Sequence, residues 1–201
     1  MMLPTHALAG IALAVPLAVV SPELGVFALV GALIGGILPD LDMYAGHRRT
    51  LHYPTLYPIA ALPAAAAAFV WTTPLTVALA FGLAAAALHC RMDVFGGGLE
   101  LRPWEASSEK AVYDHVRGEW LAPRRWVRYD GSPGDLGLSV GLGALLFVVL
   151  DGPFTAVVVA FVAIAVVYVL LRRQLANLAP IVFGRVPTPF ATYVPARYRQ
   201  E

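Results

Sequence analysis

Long apolar runs, each stopped by proline, glycine or aspartate, are the feature that most restricts how this chain can fold. Six of them follow one another, at residues 6–20, 23–38, 53–70, 74–93, 136–150 and 153–171. Within the fourth, residues 77–88 carry no polar side chain. A surface helix of a soluble domain would show a polar face, whereas a helix apolar all round is buried in a core or in lipid. About 20 apolar residues suffice to cross a bilayer. Ser21-Pro22, Pro39-Asp40, Gly131-Ser132-Pro133-Gly134 and Asp151-Gly152-Pro153 supply the stops between runs. The pattern predicts an all-α fold: a polytopic transmembrane helix bundle of about six spanning helices, with a polar segment between helices 4 and 5. The third run contains Pro54, Pro58 and Pro63, so its start is the least defined. The second would be about 24 Å long at about 1.5 Å per residue, which asks for thinned lipid or for helix ends buried in protein.

Composition agrees with the pattern. Hydrophobic residues make up 59% of the 201 and charged residues 13%, against about 25% charged in a typical soluble domain. The start, Met1-Met2-Leu3-Pro4-Thr5-His6, lacks the basic residues of a secretory signal, so the first run reads as a retained membrane helix. The single cysteine, Cys90, excludes an intramolecular disulfide and a CxxC metal site.

Four regions follow: residues 1–93 with four helices, 94–135 as a polar interfacial segment, 136–171 with two more helices, and 172–201 as a tail. Six crossings put the N-terminus, the 39–53 loop, the 94–135 segment and the tail on one side. All 14 Lys and Arg residues then fall on that side or at its boundary. The positive-inside rule makes it cytoplasmic, so the chain is expected to be an integral cell-membrane protein with both termini in the cytoplasm.

On that topology the ionisable residues of the apolar region converge. His6 opens helix 1, Asp40 and Asp42 follow helix 2, His52 precedes helix 3, and His89 and Asp93 end helix 4. All lie at the cytoplasmic ends. His89 and Asp93 are one turn apart on one helix face, and ionisable groups in membrane helices usually face the bundle interior and a function. Imidazole and carboxylate donors without thiolates suit zinc first, with manganese or non-haem iron as alternatives. His6, Asp40, Asp42, His52, His89 and Asp93 are therefore the candidate metal ligands, Asp40 and Asp42 also being candidates for the general base. Arg48, Arg49 and Arg102 are candidates for holding a substrate phosphate, although the positive-inside rule accounts for the same arginines. His47 reads as part of a basic loop facing headgroups, Cys90 as apolar filling, and His115 has no partner suggested by spacing.

Several of these residues sit in motifs with a family likeness. Thr5-His6, Gly36-Ile37-Leu38-Pro39-Asp40-Leu41-Asp42, Arg49-Thr50-Leu51-His52, His89-Cys90-Arg91-Met92-Asp93 and residues 96–104 span roughly half the chain. In them the chain resembles the membrane-bound, predicted metal-dependent hydrolases of the YdjM type. That family is grouped with zinc-dependent phospholipase C and P1-type nucleases, so the resemblance implies a hydrolase, with phosphoesters as a substrate class. Where the family commonly has Thr-His-Ser, this chain has Thr50-Leu51-His52-Tyr53, which moves the histidine by one position.

The expected function is a metal-dependent hydrolase at the cytoplasmic membrane surface, its partners being membrane lipids and a lipid-linked or other phosphoester substrate. A bound metal would lower the pKa of water to about 7 and polarise a phosphoryl oxygen. A divalent-cation transporter is the first alternative, but transport sites tend to lie near the bilayer midplane. A non-catalytic membrane adaptor is the second, docking through residues 94–135. That segment holds Trp104, Trp120 and Trp126, yet also six basic and seven acidic residues. This near-balance argues against nucleic acid.

Overall fold

The computed structural model describes residues 1–191 and 193–198; the last residues of the tail region lie outside the described ones. The described chain is mostly helical. Six main helices are α1 (Leu3–Val20), α2 (Pro22–Ile37), α3 (Leu56–Val70), α4 (Pro74–Phe95), α5 (Pro133–Val149) and α6 (Gly152–Phe183), followed by the single turn α7 (Thr188–Ala191). Proline stands at the first or second position of α1, α2, α4, α5 and α6, where its missing N–H leaves no helical bond unmade. Thr73 and Thr76 form a reciprocal capping box before α4.

Four helical segments among the described residues are long and apolar enough to cross a membrane: Leu3–Val20, Pro22–Asp42, Pro74–Phe95 and Gly152–Phe183. Leu56–Val70 and Pro133–Val149 are apolar but shorter. Phe69, Val148, Val20 and Leu62 are each more than 70% exposed, and large apolar side chains displayed in such numbers need lipid or protein cover. Beneath them a core runs through the bundle, built from Leu8 and Ile11 of α1, Leu29 of α2, Val77 of α4, Leu146 of α5 and Val158 of α6.

Two features depart from the sequence expectation. The sixth helix does not end near residue 171 but continues to Phe183. Residues 94–135 are not purely irregular: β1 (Val112–Asp114) and β2 (Glu119–Leu121) form an antiparallel hairpin, with Tyr113 opposite Trp120. This hairpin lies over the 43–52 loop, where Tyr113 N donates to Arg48 O (3.0 Å) and His115 Nε2 to Arg49 O (2.6 Å).

The closest helix approach is between α2 and α4. A Cβ added at Gly31 would overlap the carbonyl oxygen of Ala78, and one at Gly35 that of Gly82. This small-xxx-small spacing lets two backbones touch, as it does between membrane helices generally. It also brings the ends of α2 and α4 together, and with them Asp40, His89 and Asp93.

Candidate metal centre

Four segments meet where the chain's ionisable residues were expected to converge. After α2 the chain tightens into a 3₁₀ turn, Leu38–Asp42, which turns Asp40 and Asp42 back toward the bundle. The loop that follows contains Gly46 and Arg48, both with positive φ (86° and 60°). Arginine in this region is unusual and strained, and the bend returns His52 beneath α4.

One ligand atom each from Asp40, His52, His89 and Asp93 lies within 4.8 Å of the others, all four residues being buried. His52 Nε2 is 3.3 Å from Asp93 Oδ2 and 3.8 Å from Asp40 Oδ1. His89 Nε2 is 3.5 Å from Asp40 Oδ1 and 3.6 Å from Asp93 Oδ2. His52 Nε2, His89 Nε2 and Asp93 Oδ2 have no hydrogen-bond partner among the described residues. Buried polar atoms are nearly always satisfied, so three orphaned atoms aimed at one point need an external partner. The cluster could hold a divalent metal ion.

The outer contacts fix which nitrogens face that point. His52 Nδ1 donates to Asp42 Oδ2 (3.0 Å) and His89 Nδ1 to the Gly36 carbonyl (2.7 Å). With its proton at Nδ1, each neutral ring presents a lone pair at Nε2, the arrangement that orients metal-binding histidines. Burial alone would lower the His52 pKa, but Asp42 and Asp93 outweigh it and hold the imidazole above its usual value. The carboxylates thus favour positive charge at the centre.

The six expected ligands are not equivalent in this geometry. Asp42 accepts five hydrogen bonds: from His47 Nδ1, from the backbone amides of Arg48, Arg49 and Leu51, and from His52. Its oxygens are occupied in shaping the loop and holding His52. His6 stacks on His89, ring centroids 3.7 Å apart, and donates from Nε2 to Asp93 Oδ1 (3.1 Å). Asp93 is gripped on the same oxygen by Arg48 Nη2 (3.2 Å) and by the Met1 amino group (2.7 Å), which leaves Oδ2 for the centre. If Asp42→Asn is made, a group that accepted five donors becomes one that must also donate. Metal affinity is expected to fall by about 10–100-fold, the usual effect of losing such an outer partner, read by competition with a fluorescent chelator.

Of the three candidate phosphate-binding arginines, Arg48 reaches the centre, being buried with Nη1 on the Gly97 carbonyl (2.7 Å). Asp93, Asp130 and Asp40 keep it charged despite burial. Arg49 lies over the Tyr113 ring, 4.6 Å from its centroid, and Arg102 pairs with exposed Glu105 at 3.6 Å. Cys90 is buried and free.

Sequence reasoning passed over Asp135. It is fully buried and accepts from Thr5 Oγ1 (2.6 Å), Met2 N (2.8 Å) and Gly131 N (3.1 Å). It takes the backbone amide of Met2, just before α1, and the Thr5 hydroxyl from a neighbouring helix, and so fixes where His6 stands. The sequence signal was present, an aspartate followed at once by fifteen residues without charge, but it reads as an ordinary helix start.

A cavity of about 610 Å³ opens beside the centre, its lining including Asp40, His47, Arg48, Glu100, Arg172 and Arg197. Among the four clustered residues, Asp40 is the one that lines it. Comparison with protein-family models, with curated proteins and with solved structures found no match, so the functional reading rests on the centre itself.

Proposed function

We propose that this protein is a membrane-bound metal-dependent hydrolase of phosphoesters, working at the cytoplasmic surface of the cell membrane and related to the YdjM-type hydrolases that its motifs resemble. The observation that carries this reading is the set of unpartnered atoms on His52, His89 and Asp93, closed by Asp40. Zinc is the preferred ion. Bonds of about 2.0–2.1 Å put tetrahedral ligand atoms about 3.3–3.4 Å apart, and the four separations given above run from 3.3 to 3.8 Å. All pairs in the set lie within 4.8 Å, so closing on an ion asks the widest of them to contract.

When bound, such an ion activates water and polarises a phosphoryl oxygen. The protein's own groups divide the remaining work. His52, His89 and Asp93 would hold the ion, while Asp42 and the Gly36 carbonyl keep both rings in the binding tautomer. Asp40, on the cavity side, completes the set or takes the proton of the attacking water. Arg48 faces the cavity with an unpartnered, buried Nε, a donor suited to a phosphate oxygen. Six crossings, with α3 and α5 spanning as short helices, put the centre at headgroup depth on the basic side. A transporter would instead hold its ion near the midplane, whereas the middle turns of α1 and α2 contribute Ile11 and Leu29 to an apolar core.

Hydrolysis of bis(4-nitrophenyl) phosphate by detergent-purified protein tests the reading. Turnover is expected to depend on added zinc or manganese and to fall about 100-fold or more in His89→Ala, on the scale of losing a principal catalytic group. Equal rates in wild type and variant, with metal bound to the wild type, would overturn it.

A further inference from the structure

Helix α6 is longer than a membrane requires. Its 32 residues extend about 48 Å at about 1.5 Å each, against a hydrocarbon core of about 30 Å. Counted from Gly152, roughly 20 residues complete the crossing, which brings the chain to Arg172-Arg173. The helix then continues, and the overhanging part is still apolar on one side. Leu175, Leu178, Ala179 and Val182 recur at the three-to-four-residue spacing of one helix face, and with Ala176 they form a wall of the cavity beside the metal centre. Leu175, Leu178 and Val182 are also 44–58% exposed, so the cavity opens sideways along this face. Bilayer residence does not account for apolar surface beyond the hydrocarbon core; an occupant would.

The other end of the cavity sets that occupant's charge. Arg48 and Arg197 line it with buried Nε atoms that have no partner among the described residues. Arg172 is committed to Asp130, at 3.1 Å. Glu100 lines the same space with both carboxylate oxygens buried and unpartnered. The terminal nitrogens of both arginines without a partner at Nε are engaged, those of Arg48 by Gly97 O and Asp93 and those of Arg197 by Leu99 O and Tyr198 Oη, which leaves one open Nε on each. Set against Asp40 and Glu100, these two guanidinium groups give little excess positive charge. A multiply charged free phosphate would be repelled by the acids, whereas a phosphodiester carries a single negative charge. The volume, about 610 Å³, is that of a site for one small amphiphile.

We propose that the cavity binds a phosphodiester amphiphile, a lipid whose alkyl chain lies along the overhang of α6 and whose phosphate meets Arg48 and Arg197 beside Asp40. The inference names the substrate class of the hydrolase proposed above and rests on that reading for the chemistry, but not for the binding. Binding therefore supplies the test. Delipidated protein is titrated with palmitoyl lysophosphatidylglycerol, with glycerol phosphate and with palmitoyl monoacylglycerol, adducts being counted by native mass spectrometry. Metal content is measured on the same samples.

The lysophospholipid is expected to bind at least about tenfold more tightly than either the headgroup or the uncharged chain. Ala179→Trp, which fills the wall at a distance from the metal-binding residues, is expected to lose the adduct and keep its metal. Arg197→Ala is expected to bind lysophospholipid and monoacylglycerol alike. Equal binding of all three probes by wild type, or an undiminished adduct in a folded, metal-loaded Ala179→Trp, would overturn the inference. Metal without any lipid adduct would sink the amphiphile and leave the hydrolase. A selective adduct on protein that takes up no metal would sustain the amphiphile and remove the hydrolase.

Discussion

Detergent-purified protein, stripped of any affinity tag, is expected to carry a single divalent ion per chain, and His89→Ala and Asp93→Ala to carry none. The two variants remove different supports. His89→Ala deletes one of two lone pairs that face the centre, together with the donor to the Gly36 carbonyl. Asp93→Ala deletes the carboxylate that meets both His52 and His89 on one oxygen and His6, Arg48 and the Met1 amino group on the other. Removing one partner of a buried charge cluster typically costs about 3–5 kcal/mol, so Asp93→Ala also threatens the fold. Asp93→Asn is the more conservative companion, and circular dichroism should find its helices intact. Elemental analysis of wild type, His89→Ala and Asp93→Asn then decides the matter. A wild type that stays metal-free after dialysis against zinc, manganese and iron would reduce the centre to a polar knot between helix ends.

How much of this centre could be read from the sequence follows from what each residue's position depends on. His6, His89, Asp93 and Asp40 were legible because an ionisable group at the end of an apolar helix has few tolerable environments, and helix ends on one side of a membrane share a level. The division of labour was not legible. Asp42 differs from Asp40 only by a 3₁₀ turn and by a loop that folds back through positive φ at Gly46 and Arg48. Nothing in the order of residues announces that five donors will gather on it. Arg48 was legible as a candidate for a substrate phosphate alongside Arg49 and Arg102, but not as the one of the three that is buried against Asp93 and Gly97. The one-position displacement of the Thr50-Leu51-His52 histidine relative to the resembled family does not keep His52 out of the cluster. In α6, Arg172-Arg173 marked where the apolar run ends but not where the helix ends, since helical hydrogen bonding continues past a membrane boundary. The hairpin had a local signal, Val112-Tyr113 and Trp120-Leu121 flanking Gly118, whose φ is 72°. The reading of residues 94–135 as a polar interfacial segment does not use that signal.

The second large effect is expected far from any charged group. Gly35→Val should prevent the bundle from assembling, with loss of the monodisperse peak in size-exclusion chromatography and of metal binding. The added Cβ would fall on the carbonyl oxygen of Gly82, part of the α4 backbone rather than the movable end of a side chain. The helices must separate, and the cost exceeds the about 1–3 kcal/mol of an ordinary overpacked side chain. Gly141→Val on α5 is the control, because a Cβ there meets nothing within 4 Å. Gly82→Ala lies between the two: its Cβ would sit 3.2 Å from the Gly31 carbonyl oxygen, a distance that a shift of a few tenths of an ångström relieves. The expected order of stability is Gly141→Val near wild type, Gly82→Ala below it, and Gly35→Val unfolded. A folded Gly35→Val that still bound metal would mean that α2 and α4 need not touch for Asp40 to reach His89. Close packing would then not be what sets the separations within the centre, and the 3₁₀ turn with its Asp42-bonded loop would have to carry that task alone.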